Sequence, residues 1–134
     1  MVTGQCNCGA VAFGVNAEVE DVYVCHCSLC RRATGSGGIA VTIVDNAVFG
    51  WLKGEDQITH WAKPGHDWHT WFCKVCGSNL PGKNDEHRMY IPVGALTSGH
   101  EALTVVHHIW VDSMAAWEVI GDDGKRHPRG FESQ

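Results

Sequence analysis

Seven cysteines carry the reactive chemistry of this chain, in three groups: Cys6 and Cys8; Cys25, Cys27 and Cys30; Cys73 and Cys76. An odd number of thiols cannot close into pairs, and at about 5% of the chain they fall short of the roughly 8–10% of a disulfide scaffold. In a reducing compartment such clusters are metal ligands more often than bridges. The two outer groups share one design, two thiols followed by a glycine, in Cys6-Asn7-Cys8-Gly9 and Cys73-Lys74-Val75-Cys76-Gly77. A thiol pair on a tight turn, with glycine in the left-handed region so that amides face the sulfurs, is half of a tetrahedral zinc site. Two such halves supply four thiolates with nothing left over.

The middle group, Cys25-x-Cys27-x-x-Cys30, can wrap one ion, because residues i and i+2 lie on one side of an extended segment and a turn returns the third thiol to them. Three ligands leave a fourth position open, the mark of a catalytic rather than a structural site. Thiolate ligation favours zinc, and three thiolates on a dication leave a net charge of about −1, better suited to holding a fourth sulfur than to acting as a strong Lewis acid. A thiol substrate fits such a site. Other partitions stay open: one zinc on Cys25 and Cys27 with an outer pair, or closure of the triplet by His60, His66 or His69. His26, between two ligands, is expected to point away from them. A redox role for Cys73-x-x-Cys76 lacks the βαβ setting that motif needs. If a bound thiol attacked an aldehyde, Arg31 and Arg32 are the nearest donors to the developing alkoxide, and His26, His66 or a water could deliver the final proton.

The elements that must position these residues are short and β-like. Ala10 to Val15, Val22 to Cys25, Gly38 to Val44, Ala47 to Leu52, Gln57 to Trp61, Trp68 to Phe72, Arg88 to Val93 and Val105 to Val111 read as strands between Gly, Pro, Asn and Asp turns. Asp45-Asn46 and Lys63-Pro64-Gly65 read as hairpin turns. Only Ser28 to Ala33 and Asp112 to Ala116 could form a turn or two of helix. Gly35, Gly37 and Gly38 suggest a bulge or a close backbone approach beside the triplet. Trp61, Trp68 and Trp71 are read first as core packing. His107 and His108 alternate across a strand and make a poor shared metal site.

With 134 residues, 44% of them hydrophobic, the sequence reads as one domain over 1–134, ending in a turn and a mobile tail over 121–134. The net charge of −5 repels polyphosphate backbones, which argues against nucleic acid as a partner. No apolar run approaches the roughly 20 residues of a membrane helix, and no leader pattern opens the chain, so a cytoplasmic protein that does not bind membranes is expected, as a monomer or homodimer. A charged thiol ligand would need local positive charge; Arg31, Arg32, Lys74, Lys83 and Arg88 are the candidates, though most surface cations are only solvated.

Three segments carry a resemblance: Gly4-Gln5-Cys6-Asn7-Cys8-Gly9-Ala10-Val11, Cys25-His26-Cys27-Ser28-Leu29-Cys30-Arg31-Arg32, and Phe72-Cys73-Lys74-Val75-Cys76-Gly77-Ser78-Asn79-Leu80. With His108-Ile109-Trp110-Val111-Asp112-Ser113 leading to Trp117, the chain resembles the glutathione-dependent formaldehyde-activating enzyme family, which includes centromere protein V relatives. It departs from the family pattern at Met114-Ala115-Ala116, where a Pro often precedes the Trp. The resemblance implies a β-tent fold of several small coiled antiparallel sheets around zinc-binding knuckles. It also implies two Zn2+, one structural on Cys6, Cys8, Cys73 and Cys76 and one catalytic on Cys25, Cys27 and Cys30. The implied activity joins glutathione, or another small thiol, to formaldehyde or a similar small aldehyde as an S-hydroxymethyl adduct, a carbon–sulfur lyase reaction in reverse. A non-catalytic glutathione carrier and a structural double-zinc interaction module are the alternatives from other functional classes.

Overall fold

The structure is a computed structural model and describes residues 1–131. Its twelve strands are β1 (Val2–Gln5), β2 (Ala12–Val15), β3 (Asp21–Cys25), β4 (Ile39–Asp45), β5 (Phe49–Lys53), β6 (Ile58–Ala62), β7 (His69–Cys73), β8 (Gly82–Lys83), β9 (Arg88–Pro92), β10 (Leu96–Ser98), β11 (Thr104–Ile109) and β12 (Lys125–Arg126). Among the described residues the one α-helix is α1 (Ser28–Thr34). The strands form three sheets, in the orders β10-β1-β2-β5, β12-β11-β3-β4-β9-β8 and β6-β7. The fold is therefore mainly β and built from several small sheets.

The main core lies between the first two sheets. Alternation on β2 turns Phe13 and Val15 inward, where they meet Val2 and Leu96 of the same sheet and Val44 and Ile91 of the other. The Phe13 ring stacks on Phe49 at 5.9 Å and meets the edge of Trp51 at 6.2 Å. A smaller core joins Cys6 and Cys73 to Val11 and Leu80, all at most 1% exposed.

The Lys63-Pro64-Gly65 turn does join a hairpin, with β6 and β7 paired antiparallel from Ile58↔Cys73 to Ala62↔His69. The Asp45-Asn46 turn does not. A 3-10 turn over Asn46–Val48 carries the chain from β4 in one sheet to β5 in the other, where β5 pairs with β2. The corner is held by Asn46, whose amide nitrogens donate to the His87 and Glu86 carbonyls. Turning the corner lets Val44 and Phe49 reach the same core from two sides. Asp112 to Ala116 forms only a 3-10 turn, over Val111–Ser113.

Most pairings are antiparallel, but β11 runs parallel to both β3 and β12. Through β12 the segment expected as a mobile tail is tied to the body. His127 is 2% exposed, its backbone N–H donates to the His108 carbonyl, and its ring nitrogen lies 2.8 Å from that of His107. Residues 132–134 of that expected tail lie outside the described residues.

Candidate metal centres

The outer cysteines converge on one point through two matching turns. Cys6 follows β1, and its carbonyl accepts from Gly9, whose φ is +79°; Cys73 ends β7, and its carbonyl accepts from Gly77, whose φ is also +79°. Only glycine takes that backbone region without cost. The Asn7 amide donates to the Ser78 hydroxyl at 2.9 Å and locks one turn to the other. The four sulfurs lie within 4.8 Å of one another, with Cys6 and Cys73 buried and Cys8 and Cys76 exposed. The Val11 amide faces the Cys6 sulfur at 3.3 Å. The Ser78 hydroxyl and amide hold the Cys76 thiol well below its ordinary range. Four soft donors at this spacing suit a closed tetrahedral site.

The inner cysteines form the second group, with their three sulfurs within 4.8 Å of one another and, among the described residues, no histidine or carboxylate with them. Cys25 ends β3, Cys27 caps α1 by accepting from the Cys30 amide at 3.3 Å, and Cys30 sits buried in the helix. The helix ends at Gly35, φ +66°, whose amide donates to the Arg31 carbonyl at 2.8 Å. Gly38 packs so close that a Cβ there would stand 2.3 Å from the Cys25 carbonyl oxygen, the close approach expected of this glycine-rich segment. The thiols of Cys25 and Cys30 and the amides of Cys30 and Leu29 hold the Cys27 thiol well below its ordinary range. Cys25 is pushed up for the complementary reason. The donor sets of both groups fit a soft or borderline metal ion.

Two aromatic side chains that the sequence did not mark as functional lie against Cys30. The Trp68 indole favours the Cys30 thiolate. Tyr90, on β9, is half-buried, and that burial, with a thiolate at Cys30, pushes its hydroxyl pKa up. The β6-β7 hairpin divides two cavities. One hairpin face presents Trp61, Lys63, Trp68, Thr70 and Phe72 to a cavity of about 360 Å³ that α1 closes with Leu29, Arg32 and Ala33. The other presents His60, His69 and Trp71 to a larger cavity of about 1170 Å³.

Trp61 and Trp68 are thus cavity walls and not core; Trp61 is 48% exposed. The expected basic patch disperses. Arg32 lines the smaller cavity, Lys83 the larger, Lys74 is exposed on the outer turn, and Arg88 is paired with Asp85 at 2.7 Å. Lys63, absent from the expected patch, joins Arg32. Arg31 is half-buried, and its Nε has no hydrogen-bond partner. His60 and His69 pair with each other at 2.8 Å instead of closing the triplet, and His66 is exposed on the hairpin turn. His26 stands outside the ligand cluster, 2% exposed, with Nε2 2.8 Å from His108 Nδ1. His107 and His108 do face opposite ways, toward His127 and His26.

A known Halomonas elongata protein that carries the provisional name of a glutathione-dependent formaldehyde-activating enzyme is 31% identical over 88 residues, 60% of this chain and 54% of that protein. The match therefore spans about half the length of that relative. A solved structure of a Rhodobacter sphaeroides protein superposes with a TM-score of 0.56 over 72% of this chain and 88% of its own, at 22% identity, which bears on the fold. The profile of the glutathione-dependent formaldehyde-activating enzymes matches residues 1–113, a span that contains all seven cysteines. On that match, the chain belongs to the glutathione-dependent formaldehyde-activating enzyme family.

Proposed function

We propose that this protein is a zinc-dependent carbon–sulfur lyase that binds glutathione, or a related small thiol, at Cys25, Cys27 and Cys30 and forms or cleaves its S-hydroxymethyl adduct with formaldehyde or a similar small aldehyde. The observation that supports this most is three clustered thiols without a fourth protein ligand among the described residues, beside an aromatic cavity that holds two cations. Cys6, Cys8, Cys73 and Cys76 would hold a second, structural zinc. A zinc ion on the inner trio supplies one thing, a thiol pKa lowered from about 8.5 so that the ligand's sulfur is a nucleophile at neutral pH.

The chain's own residues do the rest. Arg32 and Lys63 bind the two carboxylates of glutathione at the mouth of the cavity, and Trp61, Trp68 and Phe72 exclude water along its wall. The Trp68 indole N–H is assigned the donor role toward the Cys30 sulfur, whose thiolate it favours. In the forward direction a sulfur–carbon bond forms, the carbonyl π pair moves to oxygen, and the proton lost by the thiol ends on that oxygen. Arg31, next to Cys30 and with an unpartnered Nε, is assigned the donor role toward the developing alkoxide. His26 is buried and engaged with His108, so solvent at the cavity mouth carries the proton. All seven cysteines are unpaired, in keeping with the reducing cytoplasm as the place of action.

Metal analysis of the cobalt-substituted protein tests this proposal. We expect two equivalents per chain, one of which changes its sulfur-to-metal absorption when glutathione is added, and adduct formation above the spontaneous rate. Two equivalents indifferent to thiols would refute an open centre. A spectral response without acceleration would make the protein a carrier.

A further inference from the structure

His26, between two of the inner ligands, heads a chain of hydrogen bonds that runs from two buried rings to an exposed carboxylate in the C-terminal segment. Its Nε2 lies 2.8 Å from His108 Nδ1, and His108 Nε2 lies 2.8 Å from Asp122 Oδ1. The rings of His26 and His108 belong to residues 2% and 3% exposed. The Gly124 amide donates to the same Asp122 oxygen at 2.8 Å and orients the carboxylate. A Cβ at Gly124 would stand 3.0 Å from His108 Cδ2, so the segment packs directly on the ring.

An ionised carboxylate only accepts, so His108 Nε2 donates to Asp122, while His108 Nδ1 and His26 Nε2 share one proton across 2.8 Å. His26 Nδ1, on the far side of the ring, is buried as well. One carboxylate thus orients two rings in series. The His26 backbone is clamped as well, its N–H donating to the Ile109 carbonyl at 3.0 Å, one residue beyond His108.

We infer that His108 and Asp122 are positioning residues for the inner centre: through His26 they hold Cys25 and Cys27 in place, so a segment beyond the family domain completes that centre. This rests on the proposed role of Cys25, Cys27 and Cys30 as a metal centre. The family profile ends at residue 113, nine residues short of Asp122.

The test compares Asp122→Ala, Asp122→Asn and the neighbouring Asp123→Ala in the full chain, following metal release to a chelator from the cobalt-loaded protein and the histidine ring 15N spectrum of the zinc-loaded protein. Asp122→Ala is expected to release the thiol-responsive equivalent about tenfold faster, with the other equivalent unchanged as an internal check on folding. Asp122→Asn keeps an accepting oxygen and should fall between Asp122→Ala and the unsubstituted chain; Asp123→Ala should match the latter. The ring signals of His26 and His108 should shift together in Asp122→Ala. Unaltered release with both tautomers retained would overturn the positioning role and leave the proposed function standing. Loss of both equivalents together in both Asp122 variants would make Asp122 a general fold contact and overturn it too. An unsubstituted chain with no thiol-responsive equivalent would overturn the metal reading itself, and this inference with it.

Discussion

Lys63 comes from a turn and Arg32 from a helix, yet they share the wall of one small cavity. If they bind the carboxylates of glutathione, losing one charge-assisted pair costs about 1.5–3 kcal/mol, or on the order of ten- to hundredfold in affinity. We therefore expect Lys63→Ala to weaken glutathione binding about tenfold in calorimetric titration, while Lys83→Ala, which alters the other cavity, leaves it unchanged. Equal effects of the two substitutions would locate the ligand elsewhere. At this scale the cysteines were legible in the sequence, because ligand spacing is a local property and Gly9 and Gly77 advertise the turns. Lys63 and Trp68 were not, although a signal existed. In an antiparallel hairpin that pairs Trp61 with Thr70, alternation puts Trp61, Lys63, Trp68 and Phe72 on one face.

The turn between β8 and β9 is organised by a single carboxylate. Asp85 accepts from the His87 and Arg88 amides and from the Arg88 side chain, and these bonds, the His87 amide foremost, hold its carboxyl well below the ordinary carboxylate range. A carboxyl whose folded pKa is depressed stabilises the fold above its unfolded value of about 3.9 and loses that contribution as pH falls through the folded pKa. Asp85→Ala should therefore be less stable than the unsubstituted chain at neutral pH, and the two should converge as denaturation is followed by circular dichroism into strong acid. A constant gap would mean that the charge is not what matters. Strand positions were largely legible, since short alternating runs between turn residues announce themselves. Partners were not. Asp45-Asn46 has hairpin chemistry, but Val44 and Phe49 gain more by entering one core from two sheets than by pairing their strands.

The outer thiols tie the end of β1 to the end of β7, and two of them, Cys6 and Cys73, are part of a core cluster with Val11 and Leu80. A metal bound there is folding energy, because no such site exists in the unfolded chain. Chelation should lower the thermal midpoint by more than about 10 °C, and scanning calorimetry should show full recovery with added zinc. An unchanged midpoint would leave the small core as the sufficient support. The chain's end was the part least legible in sequence: Asp122 to Phe131 has the composition of a loose tail, and its anchorage depends on β11, His107 and His108, which only the three-dimensional pairing brings to it. That pairing also sets an order of assembly during synthesis. The outer cluster has all its ligands once residue 76 has left the ribosome. On one side β3 pairs with β11, so the inner thiols, although translated earlier than Cys73, gain their last supports only when β11 and then Asp122 emerge. A nascent chain therefore closes its outer cluster first.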